Sequence, residues 1–318
     1  MDTRLKLNIT ILLFIVTLFS GCSMFTNPDP IEQRMTELTV QHDQTIDRPA
    51  VDSLADKPTI KLLSLNLAHG RKDSFTQFFV DKTAFRNNLV EIAEFLKREN
   101  ADIVTLQEAD ASSSWSGDFD HVAFLAREAG YAWYTHAIHI DNIFATYGTA
   151  VLSRYPIVNG YGVDFNPTPP TPKKGFTLAE IEWMPSGEDK DKVVIDVISV
   201  HLDFSRSSKR IEQIEDMKKV LGERDNPVVV LGDFNSDWVN GERELQALAS
   251  EVQLATHLPE VNHLYTYFDD RFDWILISRE FDFCNYYTTT DILSDHLAVI
   301  SEIIAKNEDL VPEECTTG

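Results

Sequence analysis

Apolar stretches along this chain end, one after another, on a polar side chain. The clearest is Val228-Val229-Val230-Leu231, whose three β-branched residues predict a strand buried on both faces. It stops at Gly232 and presents Asp233 and Asn235. An acid and an amide two apart on extended backbone point the same way. A strand is likewise predicted over 59–67, with Asn66 near its end and His69-Gly70-Arg71 in the loop beyond. Residues 102–107 predict a strand closed by Glu108, and 193–200 one closed by His201 and Asp203. Strands are expected over 147–153, over 176–183, over 272–277 carrying Asp273, and over 297–303 directly after Ser294-Asp295-His296.

Helical spacing appears between these runs. Phe85, Leu89, Ile92 and Leu96 share one face of a helix over 83–98. Residues 120–129 predict a short helix closed by Gly130. Ile211, Ile214, Met217 and Leu221 are the expected inner face of a helix over 208–221, and a further helix is expected near 241–250. The stretch from Asn166 to Gly175 holds too many prolines for either regular structure and should be stiff and extended.

The N-terminus follows another pattern. Arg4 and Lys6 precede an apolar run from Ile9 to Phe19, whose 11 residues are too few to span a bilayer as a helix. Residues 1–21 therefore read as a secretory signal. Ser20-Gly21 directly before Cys22 resembles the lipobox of bacterial lipoproteins. That resemblance implies cleavage before Cys22, acylation of its thiol and, with Ser23 following, an outer-membrane destination in the cell envelope. Residues 22–58 are polar, carry Pro28, Pro30, Pro49 and Pro58, and read as a flexible tether spanning about 30 Å. A single domain is expected over 59–306, as a monomer, followed by an acidic tail over 307–318.

Composition narrows the function. The net charge of −23, which becomes −24 once Asp2, Arg4 and Lys6 are removed, repels polyanions and anionic bilayers at long range. Non-specific DNA binding draws on basic patches, and no Lys/Arg-rich run is present. Nucleic acid is thus a disfavoured partner. Cys284 and Cys315 could pair in an oxidising compartment, but two cysteines supply neither a framework nor metal-ligand spacing.

The strand-end residues Asn66, Glu108, His201, Asp233, Asn235, Asp273, Asp295 and His296 comprise four carboxylates, two amides and two histidines. Such a set suits a hard divalent cation with acid/base groups beside it, Mg²⁺ or Mn²⁺ rather than zinc.

Taken together with Leu106-Gln107-Glu108, Gly148-Thr149-Ala150-Val151-Leu152-Ser153, Gly232-Asp233-Phe234-Asn235 and Phe272-Asp273-Trp274-Ile275, these motifs resemble the endonuclease/exonuclease/phosphatase superfamily across residues 59–306. The resemblance implies a four-layer α/β sandwich, two packed mixed β-sheets flanked by helices, with the site at one rim. It also implies Glu108 as principal metal ligand with Asn66 and Asp295 beside it. Asp233 and Asn235 would position the attacking water, His296 would pair with Asp273, and His201 would contact the phosphate. Arg71, Trp115, Tyr147, Lys173 and Lys174 are candidate substrate contacts on the rim. His69, His121, His136 and His139 are expected to be surface or core histidines. Three functional readings follow: a hydrolase of a phosphoester in a lipid head group or small metabolite, an envelope nuclease, or a non-catalytic binding module.

Overall fold

The computed structural model describes residues 29–46, 58–185, 192–241, 243–261, 263–306 and 315. Two seven-stranded sheets face each other. Edge to edge, the first runs β1 (Met35–Glu37), β7 (Ile157–Asp164), β8 (Gly175–Trp183), β9 (Val193–His201), β10 (Val228–Asp233), β12 (Asp273–Ser278) and β11 (Leu254–Thr256). The second runs β13 (Phe281–Thr288), β14 (Val299–Ala305), β3 (Thr59–Asn66), β4 (Ile103–Asp110), β6 (Thr146–Ser153), β5 (Trp133–Asp141) and β2 (Gln41–His42). Both are mixed: β9 with β10 and β3 with β4 are parallel, and the other pairings are antiparallel. Helices α1 (Lys82–Glu99) and α2 (His121–Ala129) cover the second sheet; α3 (Ser207–Gly222) and α4 (Glu244–Glu251) cover the first. This is the four-layer sandwich expected from the sequence.

Period-2 alternation assigns the layers. Val228 and Val230 of β10 pack beneath α3 and α4, while Val229 and Leu231 enter the space between the sheets. In β3, Leu63 and Leu65 face the helices, and Ile60 and Leu62 face the opposite sheet. The space between the sheets changes character along its length. It is apolar around Trp183, Ile195 and Ile60. Further on it becomes a hydrogen-bonded layer in which Thr105 Oγ1 donates to Ser64 Oγ (2.9 Å) and Gln107 Nε2 to Ser199 Oγ (3.0 Å). Each buried polar group there has a partner, so the layer is rigid rather than costly. It ends on the functional rim.

Several elements differ from the sequence reading. The tether expected over 22–58 is too long, because residues 29–46 join the fold: β1 pairs with β7 and β2 with β5. Ile31 is buried, Arg34 pairs with Asp216 at 2.9 Å, and His42 stacks on Trp133 at 3.8 Å. Strands this short carry no readable alternation. Ile211, expected inside α3, is exposed, whereas Gln213 and Asp216 are buried. Cys284 of β13 is disulfide-bonded to Cys315, tying that point of the acidic tail to the domain. The signal segment, Cys22 and the rest of the tail lie outside the described residues. Among the described residues no helix is long and apolar enough to cross a membrane.

Candidate active site

Register brings the strand ends into line. Asp233 lies opposite His201 of β9 on one side and Asp273 of β12 on the other. In the facing sheet Asn66 lies opposite Gln107, one residue before Glu108. Two local distortions aim the side chains. Glu108 has φ +47° inside an irregularity of the β4–β6 ladder, where an extra residue re-aims a side chain. Gly232 has φ +147°, and a Cβ there would meet Val200 O at 2.1 Å, so only glycine lets β10 close onto β9.

The residues meet in one continuous cluster. His201 Nε2 is 4.0 Å from Glu108 Oε1 and 3.5 Å from Asp233 Oδ2. His296 Nε2 is 3.8 Å from that same Asp233 oxygen, and its Nδ1 is 2.7 Å from Asp273 Oδ2. Asn66 Nδ2 donates to Asp233 Oδ2 at 3.0 Å, and the backbone N–H of Asn235 donates to Asp233 Oδ1 at 2.9 Å. Asn235 itself has φ +48° and anchors its amide on Leu202 O at 3.1 Å.

Burial and charge set the protonation states. Burial pushes the Asp233 carboxyl well above its ordinary range, and Asp273 adds to this. Burial opposes charge on His296, but Asp273 and Asp233 outweigh it and raise the imidazole. His201 is driven the other way, by burial and then by Lys174. Glu108 is held far below the ordinary carboxylate range: burial acts against this, and His69, Lys174 and His201 overcome it.

Placement differs among the rim candidates. Lys174 is buried inside the site, its Nζ 2.9 Å from His201 Nε2 and 3.7 Å from Glu108 Oε1. Lys173 instead points away, onto Asp164 at 2.5 Å. Successive residues of an extended segment face opposite sides, which divides the pair. Arg71 bonds the carboxylate of Asp295. Tyr147 is buried in the wall rather than on the rim, its ring 4.6 Å from His69 and 5.6 Å from Trp115.

His69 corrects the reading of the remaining histidines. Its Nε2 is 3.3 Å from Glu108 Oε2 and its Nδ1 2.7 Å from Asp110 Oδ2, so a second acid-backed imidazole faces the first across the site. Burial opposes its charge, but Glu108 and Asp110 raise it. His121 and His139 are buried and His136 half-buried, partnered by Ser116 O, by Asp164 with Thr149, and by Ala109 O respectively.

The donor set fits a hard cation. The Glu108 carboxylate, although faced by three nitrogen groups at 3.3–4.0 Å, accepts no hydrogen bond among the described residues. Asn66 Oδ1 accepts from Ala68 N at 3.0 Å and keeps a second lone pair. The ligand atoms of Asp233, Asp273 and His296 also lie within 4.8 Å of one another. The Asp273–His296 hydrogen bond at 2.7 Å and the charge contact from His296 to Asp233 at 3.8 Å make that group an acid/base relay rather than a cage. A cleft of about 610 Å³ opens beside Asn235, lined by Phe204, Arg206, Asp270 and Phe272 among others.

The sequence profile of the Endonuclease/Exonuclease/phosphatase family matches residues 63–296, a span that takes in Asn66, Glu108, His201, Asp233, Asp273 and His296. The chain belongs to this family. Members of the endonuclease/exonuclease/phosphatase family are divalent-metal-dependent hydrolases of phosphoester bonds. Among solved structures, the chain is similar to an endonuclease/exonuclease/phosphatase from Beutenbergia cavernae at 19% identity and TM-score 0.57, covering 78% of this chain and 72% of that one. It is similar to the human Nocturnin catalytic domain with bound sulfate anion at 18% identity and TM-score 0.58, covering 87% and 100%. A beta toxin from Staphylococcus aureus follows at 15% identity and TM-score 0.54, covering 78% and 100%. No curated protein matches the sequence.

Proposed function

We propose that the chain hydrolyses a phosphoester in a lipid head group or a small metabolite, using Mg²⁺ or Mn²⁺. The observation that carries this is the line of contacts from Glu108 through His201 and Asp233 to His296 and Asp273, at 4.0, 3.5, 3.8 and 2.7 Å. A cation held by Glu108, with Asn66 and Asp295 beside it, would neutralise charge developing on the phosphoryl oxygens. Asp233, buried and oriented by Asn66 and the Asn235 N–H, takes a proton from the attacking water. His296, backed by Asp273, presents a positive N–H toward the phosphoryl group, and His201 with Lys174 supports the oxygens on the other side. The cleft beside Asn235 gives the alcohol portion room.

Charge favours this reading over a nuclease. The net charge is −23, and of the rim cations Arg71 is bonded to Asp295 and Lys173 to Asp164, which leaves no basic groove along them. Acylation at Cys22 would hold the enzyme on the envelope membrane, with the outer membrane as destination. The test is a substrate panel in Mg²⁺ and Mn²⁺: plasmid DNA, sphingomyelin, phosphoinositides and bis(p-nitrophenyl) phosphate. Hydrolysis of a lipid or small ester is expected; rapid plasmid nicking at physiological salt would replace this substrate class with nucleic acid.

A further inference from the structure

Beside the site, five large apolar side chains stand in water on neighbouring loops. Phe75, Phe78 and Phe79 belong to the segment before α1, with Phe79 82% exposed. Ile143 (85% exposed) and Phe144 form the tip of the β5–β6 hairpin. The turn Ser114–Ser116 joins the two groups. It lies against the turn Gln77–Phe79, and it holds the hairpin tip through Trp115 N to Phe144 O (3.3 Å) and Ser114 Oγ to Phe144 O (3.1 Å). Clustered exposure of this kind marks an interaction surface, whereas scattered apolar residues need no explanation.

The same loops run into the site. Arg71, at the start of the first, bonds Asp295. The Trp115 indole donates to Asp110 Oδ1 at 2.7 Å, and Asp110 carries His69.

The chain also enters the fold at this end. Met35 of β1 lies opposite Val163, next to Asp164; Asp164 lies opposite Gly175, and Gly175 opposite His201. Arg34 donates to Asp164 O at 2.8 Å, and Asp164 Oδ1 is 2.8 Å from His139 on the strand leading to the hairpin tip. Only the six residues 23–28 separate Cys22 from the first described residue, Asp29. The seven Cα–Cα steps between them reach at most about 25 Å. An acyl anchor on Cys22 would therefore keep the catalytic rim, not the far end, close to a bilayer.

Charge selects the bilayer. Lys72 pairs with Glu91, and Lys82 at the start of α1 with Asp118, so these cations beside the loops are locally neutralised, and the protein as a whole is strongly negative. We infer that Phe75, Phe78, Phe79, Ile143 and Phe144 form a docking surface for a membrane of zwitterionic lipids, which presents the phosphoester to the site from the bilayer. This deepens the proposed lipid-phosphoester activity and rests on it. Insertion of two or three such side chains supplies weak, reversible binding that an acyl chain makes lasting.

The test uses the chain from residue 22 onward carrying Cys22→Ser, so that no acyl group contributes. Co-sedimentation with phosphatidylcholine vesicles is measured for this protein and for two double variants, Phe78→Ser with Phe79→Ser and Ile143→Ser with Phe144→Ser. Binding is expected for the parent, at least about tenfold weaker in each variant, and weaker on vesicles doped with phosphatidylglycerol. Hydrolysis of soluble bis(p-nitrophenyl) phosphate should be the same in all three. Absence of vesicle binding by the parent, equal binding by the variants, or a self-associated dimer burying these phenylalanines would overturn the inference. Vesicle binding without hydrolysis of any ester would retain the surface and remove the catalytic reading instead.

Discussion

At the level of single residues, the site divides proton-accepting from proton-holding groups by environment. Asp233 is raised by burial, so activity that needs its carboxylate should rise with pH through a limb above the reference value of about 3.9. His296 is raised by Asp273 and Asp233, so activity that needs the imidazolium should fall only at a pH above the reference of about 6.5. The expected profile is a bell with both limbs displaced upward. Asp273→Asn removes the charge that sustains the imidazolium: the alkaline limb should move to lower pH and the rate at the optimum should drop by roughly 10²-fold or more, read from a pH–rate series. An unmoved alkaline limb would detach His296 from catalysis. Most of these residues were legible because each borders a strongly apolar run. His69 was not, since a lone histidine in a glycine-containing loop at φ +57° gives no periodic signal, and its partner Asp110 lies two residues beyond Glu108, where the apolar run had already ended.

Among the elements, long runs with one clear period were read to within a few residues, as with α1, α3 and β10. The strands that escaped notice break the pattern for physical reasons. β5 buries Thr135, Ala137 and His139, with a histidine where an aliphatic residue would announce a strand. β7 carries Asn159, Gly160 and Gly162, which read as loop. Where a glycine is decisive, the structure gives a sharp expectation. Gly232→Ala places a Cβ against Val200 O and should destabilise the fold by about 2–4 kcal/mol, seen as a lowered denaturant midpoint, with activity falling because Asp233 is the next residue. A variant as stable as the parent would show that β10 can shift without cost.

Over the whole molecule, the sandwich was legible from motif order, while the way the N-terminal segment adds an edge strand to each sheet was not. Each short strand lacks internal periodicity and is held by its neighbour's edge. The Cys284–Cys315 disulfide, a pairing that two isolated cysteines could not establish, closes a loop between positions 31 apart. Its reduction should lower stability by about 3 kcal/mol, measured as a drop in thermal midpoint with added reductant, and Cys315→Ser should remove the sensitivity. An unchanged midpoint would mean that the bond does not persist in solution. Such a bond suits an exported protein, in keeping with the proposed envelope location.

Glu108 as the organiser of a metal-dependent phosphoesterase is tested most directly by the rate of bis(p-nitrophenyl) phosphate hydrolysis as Mg²⁺ or Mn²⁺ is titrated into chelator-treated protein. The parent should be inactive without cation and recover saturably, and folded Glu108→Gln should stay at least about 10²-fold slower at every concentration. Full turnover in chelator, or a Glu108→Gln rate equal to the parent's, would contradict it.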